Sequence, residues 1–209
     1  MNALDLEQGS DEWKAARAGR ATASKFACVL AKVKSGEAAV RRNYRAQLVV
    51  ERLTGRPVAS FETPAMRQGT EREPIARAAY EVKTGAFVDE VGFILHDTIG
   101  CGASPDGLVG DDGCIEIKCP ELAAHLETIQ TAGAPPEHIA QIQGVMWLAE
   151  RQWCDFISFN PDFPEHLQMV VRRIARDDIY ITGLALAVEL FMGEVLTEES
   201  AVLAMPDAA

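Results

Sequence analysis

A chain of 209 residues with 48% hydrophobic and 24% charged side chains is long enough for one substantial core and reads as a single soluble domain. Its net charge of −11 argues against uniform coating by nucleic acid, and its five cysteines, with no CxxC and no His pair at zinc spacing, fit buried reduced thiols better than disulfides or a zinc site. No segment reads as apolar for long enough to span a bilayer, and the acidic N-terminus MNALDLEQGSDEW lacks a signal peptide's basic and hydrophobic regions, so a cytoplasmic protein without a membrane partner is expected.

In chain order, Ser10 or Asp11 is expected to cap a short helix carrying Trp13 and Arg17. Gly19 separates it from a second helix, capped by Thr22 or Ser24, over Phe26, Val29 and Leu30. A longer helix over 37–53 turns Val40, Tyr44, Leu48 and either Val49 or Leu53 inward and stops at Gly55-Arg56-Pro57. Another helix is expected from about 70 to 84. Strands follow near 91–96, 101–109 and 113–119, helices near 121–131 and 136–150, and strands near 152–159 and 167–174. A last helix runs from Asp177 to about Val195, with Leu196 to Ala209 as a frayed tail. This order implies an α/β core with a mixed central sheet flanked by helices. Residues 1–209 are expected as one domain: a basic helical part at 1–60, a catalytic core at 61–175 and a C-terminal helix and tail at 176–209.

Charge is unevenly spread. Residues 1–85 hold 15 Lys and Arg against 10 Asp and Glu, and residues 86–209 hold 5 against 21. The basic side chains are densest from Lys14 to Arg56. Two readings stay open there, a focused surface for phosphates or a run of solvated helix faces.

The stretch SPDGLVGDDGCIEIK carries the most chemistry. It reads as strand, turn, strand, and its alternation puts Glu116 and Lys118 on one face. With Asp106 these could hold a hard divalent cation by oxygen ligands and place a lysine beside the attacking water, as phosphodiester hydrolysis requires. The same residues also fit a hairpin with ordinary turn chemistry and a solvated charged face. The β-branched Ile115 and Ile117 favour a core strand, where a charged face needs a reason.

The element order resembles the PD-(D/E)XK nuclease core. Within that superfamily, Trp13, Arg17, Thr22-Ala23-Ser24, Gly69 to Glu73, Ser104-Pro105-Asp106-Gly107, Glu116-Ile117-Lys118-Cys119-Pro120 and Ala140-Gln141-Ile142-Gln143 together resemble lambda exonuclease and its phage-type (YqaJ) recombination nuclease relatives.

The resemblance implies a role for each matching position. Asp106 and Glu116, with the Ile117 carbonyl, would ligate Mg²⁺, with Mn²⁺ as a substitute and two ions per site. Lys118 would orient and help deprotonate water, and Glu73 would lie near the metals; from spacing alone Glu73 reads as an ion pair with Arg77. Gln141 would stand beside the active site, although its helix position also fits a satisfied core amide. Arg17, Ser24 and Ser104 would hold a 5′-terminal phosphate, with Trp13 packed beside them or simply in the core. Lys34 would reach DNA, and Met66 would be an apolar wedge at the terminal base pair or else a buried loop Met. His96, His125, His138 and His166 show no ligand spacing and are assigned no role.

The activity implied is a Mg²⁺-dependent 5′-to-3′ exonuclease on double-stranded DNA ends that releases mononucleotides and leaves 3′ single strands. A homotrimer ring around DNA and a single-strand annealing protein as partner are implied with it. A structure- or sequence-specific endonuclease on the same core and a non-catalytic DNA-end-binding protein are the alternatives.

Overall fold

Two four-stranded mixed sheets meet at the link Ser104-Pro105-Asp106. The structure, a computed structural model, describes residues 2–59 and 63–206. The expected boundary between N-terminal part and catalytic core, at 60 and 61, lies outside them. The first sheet has the order β1-β3-β4-β2, from β1 (Asn2–Leu4), β2 (Ala21–Thr22), β3 (Phe93–Leu95) and β4 (Cys101–Ala103). The second is β5-β6-β7-β8, from β5 (Gly107–Val109), β6 (Gly113–Lys118), β7 (Trp153–Phe159) and β8 (Met169–Ala175). The single strand expected over 101–109 is therefore two strands in different sheets. Pro105 has no amide hydrogen for a ladder, and the chain changes sheets around it.

Strand β6 pairs antiparallel with β5 and parallel with β7, so it is central, as its β-branched residues predict. One face of this sheet packs Ile115, Ile117, Ile157 and Phe159 against Ala76 and Tyr80 of α4 (Pro64–Thr84). Cys114, Cys154 and Phe156 face the larger core, built with α2 (Phe26–Leu30), α3 (Ala39–Thr54), α6 (Pro136–Leu148) and α7 (Asp178–Leu203). Helix α1 (Asp11–Arg17) starts at Ser10, whose hydroxyl accepts from the Trp13 amide at 3.1 Å. Helix α5 (Leu122–Gln130) completes the set and buries His125, whose ring nitrogens bond Ser158 Oγ and the Leu167 carbonyl at 2.8 Å each. That histidine is a structural tie.

Several expectations need correction. Neither Thr22 nor Ser24 caps α2: a 3-10 turn, Ala23–Lys25, precedes it, and the Thr22 and Ser24 hydroxyls bond each other at 3.3 Å. In α3, Tyr44, Leu48 and Val49 are buried, but Val40 and Leu53 are exposed because the helix inner face is narrower than the pattern allowed. Helix α4 begins at Pro64 rather than near 70. Thr63 caps it by accepting from the Met66 amide at 3.1 Å, and proline is well placed in a first turn.

The C-terminal helix is also longer than expected. It reaches Leu203, so residues 196–203 are not frayed. It is long and apolar enough to cross a membrane by length and composition, contrary to the expectation that no segment is. Its Leu184, Val188, Phe191 and Val195 are instead core residues. Its Glu194, Glu198 and Glu199 pair with Arg41, Arg45 and Arg52 of α3 at 2.6–3.2 Å. Three of the side chains that made Lys14–Arg56 look basic are thereby neutralised within the fold.

Candidate active site

The site is organised by the link between the sheets. Gln8 fixes it, with Nε2 donating to the carbonyls of Val91 at 2.7 Å and Pro105 at 3.0 Å. On the link, Ser104 faces α1. Trp13 Nε1 donates to Ser104 Oγ at 2.9 Å, Arg17 Nη1 donates to the same oxygen at 3.2 Å, and the Arg17 guanidinium lies 3.9 Å from the Trp13 ring centroid. Trp13 is therefore half-buried at the pocket rather than in the core. No carboxylate among the described residues lies within ion-pair distance of Arg17. Burial pushes its pKa down to about 10 against the smaller opposing effects of Tyr44 and Glu51. A desolvated guanidinium without a counter-ion is suited to an incoming anion.

Two residues further on, Asp106 Oδ2 accepts from the Ile117 amide at 2.6 Å, which ties the link to β6. Glu116 is fully buried, so the solvated-face reading of this strand does not hold. Glu116 Oε1 accepts from Lys118 Nζ at 2.5 Å, while Oε2 is buried without a hydrogen-bond partner among the described residues. Burial, and then the Asp106 and Glu73 charges, push the Glu116 pKa up against Lys118. Asp106 is raised too, by burial, with Lys118 and the Ile117 amide opposing. Burial works against the Lys118 charge, but Glu116, Asp106 and Glu73 outweigh it and hold its pKa above the usual lysine value.

Helix α4 supplies Glu73, raised to about 7 by burial and then by Asp106. The i+4 pairing with Arg77 does not form, because Arg77 turns to Glu90 at 2.6 Å. Gln141 of α6 is half-buried and points to the cleft. The core amide is its neighbour Gln143, whose Nε2 donates to the Ala175 carbonyl at 2.9 Å and whose Oε1 accepts from the Asp177 amide at 3.0 Å. Helix α6 comes this close because Gly144 lies against the Phe26 ring; a Cβ there would stand 2.5 Å from Phe26 Cδ2.

One cleft of about 650 Å³ is lined by Trp13, Arg17, Ser24, Glu73, Ser104, Asp106 and Gln141. Sequence reasoning missed two of its other lining residues, Gln8 and Arg77, which carry no motif. Lys118 lines a separate cavity of about 350 Å³ instead. Met66 is exposed on the first turn of α4, not buried in a loop, and lines an adjoining cavity with Trp13, Arg17 and Ser24. Lys34 is exposed in the loop before α3 and is not among the cleft residues.

The residues present fit a cation: the buried Glu116 and the half-buried Asp106 carboxylates act on the same Lys118 ammonium, and Glu116 Oε2 lacks a hydrogen-bond partner among the described residues. Among the described residues no group of three or more His, Cys, Asp and Glu side chains forms a metal cluster.

A mixed sheet carrying Asp106 at a strand end and Glu116-x-Lys118 on the adjoining strand defines a PD-(D/E)XK nuclease fold. Within that class, residues 12–152 match the YqaJ-like viral recombinase domain, and the chain belongs to that family. The crystal structure of an alkaline exonuclease, LHK-Exo, from Laribacter hongkongensis is 47% identical with a TM-score of 0.87, and the alignment covers 92% of this chain and 96% of that one. The LHK-Exo complex with dAMP aligns with a TM-score of 0.86 at the same identity. A phage-related exonuclease from Haemophilus somnus 129PT, 14% identical with a TM-score of 0.66 over 86% of this chain and 96% of that one, shares the fold. Among curated proteins none matches.

Proposed function

We propose that this protein is a metal-dependent 5′-to-3′ exonuclease that degrades one strand of linear duplex DNA from a 5′-phosphorylated end, releasing mononucleotides. One observation carries this reading. The anion-seeking pair Arg17–Ser104 and the carboxylate Asp106 are fixed two residues apart on one pinned link. Two residues of chain reach at most about 7 Å, the scale of one nucleotide. A strand end seated at Arg17 would therefore bring its first phosphodiester to Asp106 and Glu116. An enzyme that cuts inside a duplex has no use for that arrangement. The 47% identity to an alkaline exonuclease, and the dAMP complex of that relative, support the same reading.

Asp106, Glu116 and the Ile117 carbonyl would hold the cation. Mg²⁺, or Mn²⁺ in its place and two per site, would supply Lewis acidity toward the phosphodiester and a more acidic attacking water. Lys118 Nζ, already donating to Glu116 Oε1, has further N–H donors to orient that water and a phosphate oxygen. The surrounding carboxylates keep Lys118 protonated, so it can take the water's proton only after releasing its own. Gln141 offers an amide to the phosphate, and Glu73 faces the leaving 3′-oxygen from α4. Membership of a viral recombinase family supports two partner proposals: a homotrimer ring around the duplex, and a single-strand annealing protein that takes up the 3′ strand.

The test compares linear duplexes with 5′-phosphate or 5′-hydroxyl ends and a closed circle in Mg²⁺, with Lys118→Ala as control. Mononucleotides released from the linear forms, faster from the 5′-phosphate and absent with the variant, are expected. Cutting of the circle would establish an endonuclease instead, and end binding without cleavage would leave a binding protein.

A further inference from the structure

The charges of Asp106 and Glu73, which line the cleft with Arg17 and Ser104, act on Lys118. The side chain of Lys118 lines a second cavity, about 350 Å³ in volume, bounded by α5, β7 and the first turn of α6. If the cleft seats the nucleotide to be released, the cut bond lies beside Lys118 and the strand must leave past it. That step rests on the exonuclease reading. The second cavity is the space it meets, and its volume is enough for one nucleoside.

The lining favours a base and sugar over a phosphate. His138 lies against the buried Phe156 ring at 5.4 Å and 24°, so it is a fixed, flat surface. Bases stack on such rings with little regard to sequence. Pro135 and Ala134 are apolar, and the carboxylates of Glu127 and Glu137 would repel a phosphate. The Ser158 hydroxyl is already engaged by His125 at 2.8 Å. We propose that this cavity receives the nucleotide immediately 3′ of the cut bond, with His138 as the positioning residue on which its base stacks. Seating of that second base then sets where the scissile phosphate rests against Lys118 and Glu116.

The test measures kcat/KM for release of the first nucleotide from a 5′-phosphorylated duplex, intact or abasic at its second nucleotide. Wild type is compared with His138→Ala and His138→Phe, and melting temperatures check folding. The abasic substrate should be about tenfold poorer for wild type. His138→Ala should be about tenfold poorer on the intact substrate and lose nothing more on the abasic one. His138→Phe, which keeps a ring on Phe156, should restore both the rate and its dependence on the second base. If His138→Ala loses the same factor on both substrates, or wild type ignores the missing base, the subsite is wrong and the exonuclease reading stands. No nucleotide release by wild type from the intact duplex would remove that reading and the subsite with it.

Discussion

The seam between α3 and α7 and the cleft around Ser104 both collect charge, but they treat it in opposite ways. At the seam, Arg41, Arg45 and Arg52 are matched by Glu37, Glu194, Glu198 and Glu199, with N–O distances of 2.5–3.2 Å. Around Ser104, the partners of Arg17 among the described residues are a hydroxyl and the faces of Trp13 and Phe93, and Glu116 keeps an oxygen with no partner among them in a fully buried position. A buried charge left unmatched costs stability, so its persistence calls for a ligand that supplies the missing half. Matched charge of this kind holds helices together; around Ser104, a Glu116 paired with Lys118 through one oxygen only prepares a site for a cation, and Arg17 prepares one for an anion.

The largest effect should come from Glu116→Gln. It removes the carboxylate around which the unmatched charge gathers, and turnover should fall by about a thousandfold or more, in the range seen when a central electrostatic group is lost. Stability should move the other way. Without metal the variant no longer crowds Glu116 against Asp106 and Glu73, so it should melt at least as high as wild type. Mg²⁺ at about 100 times its dissociation constant should stabilise wild type by about 2.7 kcal/mol and the variant by far less. Equal stabilisation of both by Mg²⁺ in a melting experiment would show that the orphaned oxygen is not the cation site.

Arg17→Ala should give the next largest effect. Charge-assisted hydrogen bonds contribute about 1.5–3 kcal/mol, so the preference for a 5′-phosphate over a 5′-hydroxyl should drop by about ten- to a hundredfold. Arg17→Lys should recover part of it, since an ammonium keeps the charge but not the fork that reaches Ser104. If the alanine variant slows both ends equally, Arg17 supports the fold rather than the end.

What could be read in the sequence follows the reach of each signal. Glu116 and Lys118 share a face because alternation along a strand is local, and Asp106 lies one turn of chain away. The change of sheet at Ser104-Pro105-Asp106 is tertiary. Asp106 apart, apolar and small residues run on from Cys101 to Val109 and imitate one strand. The first turns of α4 were hidden for a different reason: Gly69 and Pro74 look like breaks, whereas the Thr63-Pro64 start signal lies just ahead of them. On α6, Gln141 and Gln143 stand two residues apart, which on a helix means nearly opposite faces, and only packing shows which of them is the core amide. Glu198 and Glu199 read as part of a frayed tail because their arginines are about 150 residues away.

The smallest effect belongs to that seam and checks the other half of the comparison. Arg45 bonds Glu37 at 2.5 Å and Glu198 at 2.8 Å, and its replacement by alanine should lower stability by about 1 kcal/mol while leaving nuclease activity unchanged. The sign with pH is fixed by the carboxylates. Arg45 first, and then Arg41, hold the Glu37 carboxyl below its ordinary 4.5, and Arg41 first does the same for Glu194. A depressed carboxylate stabilises the fold above its unfolded value and loses that contribution as the pH falls through its folded value. The melting gap between wild type and Arg45→Ala should therefore be full at neutral pH and close as the pH falls below the ordinary carboxylate range, and it should shrink with added salt. A gap that stays constant from neutral to acid pH would mean that Arg45 acts through the packing of its aliphatic stem, and the matched-charge account of the seam would then fail.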